Sequence, residues 1–159
     1  MKIFLSHQRS DKKEAAKIAE YLDSCGIEVY FDQFDKDLQK AVAENNPKGV
    51  VAAIKKGVTT STDMLVLVSP NTLSSEWVPF EIGYGYDVLN VKALTLKGIR
   101  SKDIPDYIRV VPIIRDIYDI DQYAKSKGNK FLMEARGITR KTADRSHPLY
   151  GVMDDIITT

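Results

Sequence analysis

Met64-Leu-Val-Leu-Val68 is an unbroken apolar run that Ser69-Pro70 ends abruptly. A strand with one wet face alternates apolar and polar residues. A short continuous run bounded by turn residues instead fits a strand buried on both faces, as in parallel sheets covered by helices on either side. The surrounding segments keep to that plan. Residues 2–7 read as a first strand, and Ser10-Asp11 with Glu14 predict a helix start, an acidic cap with a carboxylate three residues on. Ala15, Ile18, Ala19 and Leu22 recur at helical spacing, Gly26 stops the helix, and Ile27–Asp32 reads as a second strand. Residues 33–49 are polar and irregular, broken by Asn45-Asn46-Pro47 and Gly49, with Phe34, Leu38, Ala41 and Val42 spaced for a short extra helix. Val50, Val51 and Ile54 form one helical face before the third strand, Asp63–Ser69. Ile82–Leu89 suits a helix, Val91–Leu96 a fourth strand, and Arg109–Ile114 a fifth, with Pro112 at an edge or bulge. Strands alternating with helices imply right-handed crossovers. The fold class expected is α/β, a flavodoxin-like doubly wound parallel five-stranded sheet.

With 159 residues, 43% of them hydrophobic, the chain supports one core, and residues 1–159 are expected to form one domain. Residues 1–115 carry the sheet and its helices, and 116–159 read as a helical or irregular extension. There Ile117, Ile120 and Ala124 suit one side of a helix, and Arg136, Arg140, Lys141 and Arg145 a solvated face. A net charge of +1 supplies no global field toward nucleic acid or anionic membrane, so neither is expected as a partner. Cys25, the one cysteine, excludes an internal disulfide framework and a CxxC metal site and reads as a buried thiol. The opening residues lack the build of a signal peptide and no apolar run reaches membrane-spanning length, so a cytoplasmic location is expected.

A doubly wound sheet invites a nucleotide, but the turn after the first strand, Ser6-His-Gln-Arg-Ser-Asp11, is neither a GxGxxG turn nor a P-loop. A phosphorelay receiver needs acidic residues after the first strand and an aspartate ending the third, where Ser6-His7 and Ser69 stand. No GxSxG elbow, HExxH helix or Cys/His cluster is present, so no metal is expected.

What remains is Trp77-Val-Pro-Phe-Glu81, a large aromatic and a carboxylate just past the carboxyl end of a central strand, the edge where open α/β sheets bind ligands. The pairing suits a flat, cationic substrate. Ser6, His7 and Asp32 end the first two strands on the same edge. Each has a plain alternative: Trp77 as core, Glu81 as a capping or dipole residue, and Ser6, His7 and Asp32 as loop hydrogen-bonders. Tyr84 and Tyr86 read as helix packing rather than ligand stacking. Pro79 is best tolerated in a first helical turn and disfavours helical geometry at Val78, which predicts Glu81 in or near that turn and Trp77 ahead of the helix.

Lys2-Ile-Phe-Leu-Ser-His7 with Asp11, Tyr30-Phe-Asp32, Met64 to Ser69-Pro70, and Ser74-Ser75-Glu-Trp77-Val-Pro-Phe-Glu81 fall in the order of the motifs of the TIR (Toll/interleukin-1 receptor) domain family. The chain resembles its enzymatic branch, in particular the stand-alone bacterial proteins of the antiphage, Thoeris-like type. The resemblance implies that Glu81 is the catalytic glutamate of an NAD⁺ glycohydrolase or cyclase, with Trp77 beside the nicotinamide and Ser6, His7 and Asp32 as substrate contacts. NAD⁺ is then substrate rather than cofactor, and no cofactor is expected. The products would be nicotinamide and ADP-ribose, a cyclic isomer of it or an ADP-ribose conjugate, serving as a signal to a separate effector. It also implies homo-oligomers through TIR–TIR contacts. The chain departs from the family between the second strand and the next helix, where Pro47-Lys48-Gly49 stands late in a long interval in place of a Pro-Gly loop. Two other readings stay open: a non-catalytic TIR scaffold acting by self-association, and a nucleoside deoxyribosyltransferase-like enzyme.

Overall fold

The computed structural model describes residues 1–31, 36–129, 131, 133 and 146–154. β1 (Lys2–Ser6) leads to α1 (Lys12–Ser24) and β2 (Glu28–Tyr30), then to two successive helices, α2 (Lys36–Ala43) and α3 (Pro47–Thr59). β3 (Asp63–Val68), α4 (Trp77–Gly85), β4 (Asn90–Thr95), the short α5 (Asp106–Arg109), β5 (Ile113–Ile114) and α6 (Ile117–Lys127) follow. The five strands form one sheet in the order β2-β1-β3-β4-β5, and every neighbouring pair is parallel. This is the doubly wound sheet expected. Its strand order reverses between β1 and β3, and the carboxyl ends of those two strands therefore border a natural crevice.

Alternate residues of each strand enter opposite cores, because side chains of a strand alternate between its faces. Ile3, Leu5, Leu65, Leu67 and Leu94 pack beneath α1 and α6, with Ile18, Leu22, Ile117 and Ile120. Phe4, Met64, Val66, Val68 and Ala93 pack beneath α2 to α5, with Leu38, Val50, Ile54, Val78, Ile82 and Ile108. All six residues of β3 are buried, which explains its unbroken apolar run.

The helix ends follow local chemistry. α1 closes on Gly26 at φ +79, with the Ile27 N–H bonded to the Leu22 carbonyl and the Gly26 N–H to that of Asp23, the paired bonds that a left-handed residue permits. Asn46 caps α3 by accepting from the Gly49 N–H at 3.1 Å, and Pro47 occupies the first helical position.

Several boundaries differ from expectation. β2 spans only Glu28–Tyr30, and the extra helix among residues 33–49 is α2. Arg109 closes α5 instead of opening a strand, so the fifth strand shrinks to Ile113–Ile114 at the sheet edge. Pro112 precedes it, and its carbonyl accepts from the Ala93 N–H at 2.9 Å, a contact that needs no donor from proline. Asp11 does not cap α1 with its side chain. Beyond β5, α6 is capped by Asp116, which accepts from the Asp119 N–H at 2.8 Å. Leu149, Val152 and Met153 share the core of α1 and α6, and backbone bonds join Lys97 to Val152 and Ile117 to Asp154. Arg136, Arg140, Lys141 and Arg145 lie outside the described residues, as does Phe34. Among the described residues, no helix is long and apolar enough to cross a membrane.

Candidate active site

Ser6 ends β1 at the middle of the sheet, 1% exposed, and its hydroxyl donates to Glu81 Oε2. Glu81 comes to it from α4, which starts at Trp77. Glu81 therefore lies directly after the first turn of the helix, which itself contains no acidic residue, and so near that turn as expected. Trp77 opens the helix rather than preceding it, which corrects that part of the expectation drawn from Pro79: the proline sits at the third helical position, where its missing N–H costs little, and the helix begins two residues ahead of it. Ser75 supplies the cap by accepting from the Val78 N–H at 3.1 Å. Trp77 and Glu81 are thus spaced i, i+4 and share a helix face. α4 lies close against β3, since a Cβ added at Gly85 would sit 2.6 Å from the Met64 side chain. That approach sets the depth of Glu81 behind the end of β1.

Glu81 is 9% exposed, and it lines a cavity of about 630 Å³. One wall is the loop after β1 with the start of α1: His7, Gln8, Arg9 and Lys12. The second is apolar, from Leu38, Val42 and Ala43 of α2 and Val50 and Ile54 of α3. The third is Ser74, Ser75, Glu76 and Trp77. Trp77 is half-buried and meets Phe80 edge-on at 5.9 Å between ring centroids. Phe80 in turn stacks on Tyr84 at 6.2 Å. Tyr84 and Tyr86 do not line the cavity; both are exposed, and Lys55 sits over the Tyr84 ring at 5.6 Å.

The structure therefore brings Ser6, His7, Trp77 and Glu81 together, in distinct places. Ser6 is not in the cavity wall but behind it, as a hydrogen-bond donor to Glu81. His7 is in the wall, tilted against Phe31 at 5.1 Å, with Nδ1 3.3 Å from the Leu5 carbonyl. A carbonyl only accepts, so that contact puts the hydrogen of a neutral ring on Nδ1. Asp32 lies outside the described residues. Sequence reasoning missed Arg9 and Lys12 as wall residues, although both follow β1 directly on the ligand-binding edge. It also read Leu38, Val42, Val50 and Ile54 only as helix faces. Among the described residues, no group of three His, Cys, Asp or Glu side chains is gathered to hold a metal ion.

Glu81 can do what an isolated surface carboxylate cannot. It is partly withdrawn from water with one oxygen oriented by Ser6, so that in its ionised form it would present fixed negative charge to whatever enters the cavity. Such preorganised charge acts most strongly on positive charge that develops during a reaction.

The comparisons agree on the architecture. A relative from Bacillus cereus (strain MSX-D12), described as a probable 3' cyclic ADP-D-ribose synthase ThsB', is 25% identical over 122 residues, covering 76% of this chain and 53% of the relative. The chain thus spans about half the length of that curated relative. Among solved structures, the TIR domain of the Toll-related receptor TRR-2 from Hydra magnipapillata superposes with a TM-score of 0.54 at 13% identity, over 84% of this chain and 95% of the other. The SEFIR domain of IL-17 receptor B gives 0.57 at 14%, over 85% and 96%. A metazoan TIR-STING receptor from C. gigas gives 0.55 at 18%, over 94% and 45%. At these identities the likeness is one of fold. The TIR domain family itself matches residues 3–127, a run that takes in all of the sheet but the first residue of β1 and all the described cavity walls, and this chain belongs to that family.

Proposed function

We propose that this chain cleaves the bond between nicotinamide and ribose in NAD⁺. One observation carries the reading: the Glu81 carboxylate, held by Ser6, lines a large cavity one helical turn from Trp77. The nicotinamide of NAD⁺ is a pyridinium, and when its bond to C1′ breaks the electron pair stays on the ring nitrogen. The leaving group departs neutral, and no acid has to protonate it. Ordinary glycosidases need two carboxyl groups because their leaving oxygen must be protonated as it departs. Here a single carboxylate suffices, stabilising positive charge as it grows on the ribosyl ring. Trp77 offers a flat face to the pyridinium, a contact that favours cations.

The two cations on the cavity rim, Arg9 and Lys12, fit the diphosphate of a dinucleotide. Water adding to the ribosyl cation gives ADP-ribose and a proton; a hydroxyl of the same molecule adding to it, with loss of its proton, gives a cyclic isomer. The likeness to the Bacillus relative, a probable cyclic ADP-D-ribose synthase, supports the cyclic product. The apolar wall of α2 and α3 supports it too, because it limits the water that competes for the cation. In this reading the product is a signal to a separate effector in antiphage defence, and assembly through TIR–TIR contacts accompanies activity.

The test is incubation of the purified chain with NAD⁺, with nicotinamide followed by chromatography and ribosyl products by mass spectrometry, in dilute and in crowded solution. Nicotinamide release that disappears in Glu81→Ala is the expected result. Release of free base from a deoxynucleoside, or self-association with no turnover in either solution, overturns the proposal in favour of a deoxyribosyltransferase or a scaffold. Phage protection that survives Glu81→Gln would remove the defence role.

A further inference from the structure

Asp11 stands where an aspartate ordinarily caps a helix, immediately before α1, yet its side chain makes no bond to that helix. The helical turn Arg9–Asp11 that runs into α1 is capped one turn earlier by Gln8, which accepts from the Ser10 N–H, so the Asp11 carboxylate is available for another use. It is 4% exposed and reaches across the cavity's edge to the turn after β3. Its Oδ2 accepts from Ser69 Oγ at 2.6 Å and its Oδ1 from Asn71 Nδ2 at 2.9 Å. The contacts continue toward α4. Ser69 Oγ accepts from the Asn71 N–H at 3.0 Å, Thr72 Oγ1 accepts from the Ser69 N–H at 2.9 Å, and the Thr72 carbonyl accepts from the Ser75 N–H at 3.1 Å. Ser75 then caps α4.

We propose that Asp11 is a positioning residue for the site: through the 69–75 turn it fixes the start of α4, and with it Trp77 and Glu81, relative to the loop after β1. Asp11 is not among the residues that line the cavity, and its bonds run to Ser69 and Asn71 in the turn ahead of α4. It joins the wall of His7 and Arg9 to the wall of Ser75 and Trp77, two segments about sixty residues apart in the chain whose starts the pairing of β1 with β3 sets side by side and whose turns Asp11 then ties together. The activity part of the proposal rests on the cavity being the NAD⁺ site, whereas the positional part does not.

Trp77 is the only tryptophan, so its fluorescence reports the start of α4 directly. The experiment compares Asp11→Ala, which removes both acceptors, and Asn71→Ala, which removes one exposed donor and leaves the fold intact. Asp116→Asn is the control, a buried carboxylate capping α6 on the far face of the sheet. Below the melting transition, both test variants are expected to red-shift Trp77 emission and raise its quenching by acrylamide, the control neither. A misplacement of about 1 Å costs roughly 10²-fold in rate, so kcat for NAD⁺ should fall by about that factor in Asp11→Ala and by less in Asn71→Ala. Emission and quenching that match the wild type overturn the proposal, as does an unchanged kcat in Asp11→Ala. If Asp11→Ala does not fold, Asn71→Ala decides on both readouts. A wild type that releases no nicotinamide refutes the NAD⁺ reading, and the Trp77 comparison still decides the positional one.

Discussion

Glu81→Gln isolates charge from shape. The amide keeps the volume of the carboxylate, and its carbonyl oxygen still accepts from Ser6, so folding stability should move by no more than about 1 kcal/mol. What disappears is one negative charge in a site only 9% exposed, where an effective permittivity near 20 applies rather than that of water. At about 4 Å from the ribosyl ring, such a charge contributes about 4 kcal/mol toward a full positive charge. If all of it acted on the transition state alone, the rate would drop about 10³-fold, since each ~1.4 kcal/mol is a factor of ten. The pyridinium already feels part of this attraction in the ground state, and only the excess gained as charge moves onto the sugar raises kcat, so the expected loss is about 10² to 10³ in kcat. For the same reason KM should rise, because the cationic substrate loses attraction on binding. Steady-state release of nicotinamide measures both constants, with a thermal melt of each protein alongside. A variant that melts like the wild type and keeps more than about a tenth of its kcat refutes electrostatic stabilisation by Glu81.

Ser6→Ala leaves Glu81 one donor short in a buried place; urea denaturation should show a loss of about 1.5–3 kcal/mol, as for hydrogen bonds to charged groups, together with a fall in turnover. Arg9→Ala and Lys12→Ala should each lower kcat/KM for NAD⁺ by about tenfold while leaving cleavage of nicotinamide riboside, which has no phosphate, nearly unchanged; equal losses on both substrates contradict a diphosphate contact. Burial raises the Tyr21 and Tyr123 hydroxyls far above the ordinary tyrosine value, helped by Asp121 at Tyr21 and by Asp63 at Tyr123. The unfolded chain gives up these protons near pH 10 and the folded one keeps them, so stability intact below about pH 10 falls as pH rises further, by about 1.4 kcal/mol per pH unit per group. Urea midpoints taken between pH 9 and pH 11 should fall less steeply in Tyr123→Phe than in the wild type, and parallel slopes contradict the assignment.

Why some of this was legible in the sequence and some was not follows from the range of each contact. The fold class rested on burial patterns within single segments, and the unbroken β3 and the 3.6-residue spacing of α1 carry that information locally. Glu81 and Trp77 were legible as candidates because the carboxyl edge of a parallel sheet is a property of topology. The exact start of α4 was not, because Pro79 is equally content at several positions of a first turn. The Ser75 hydroxyl decides among them, and a serine in a Ser-rich turn does not advertise which N–H it will accept from. β5 shrank for a similar reason: Val110 and Val111 have the composition of a strand, yet α5 and the turn after it carry the chain to the sheet edge only at Ile113. Ser6 marks the deeper limit. A serine at a strand end makes the same bonds whether it meets a loop, a substrate or a buried carboxylate, and only the approach of α4 to β1 separates the three. That approach depends on Gly85 against Met64 and on α4 being fixed at its start by a turn that itself leans on Asp11. The orientation of Glu81 is therefore set by residues that look, one at a time, like ordinary packing and capping, and the chemistry of the site is distributed well beyond the side chains that face its cavity.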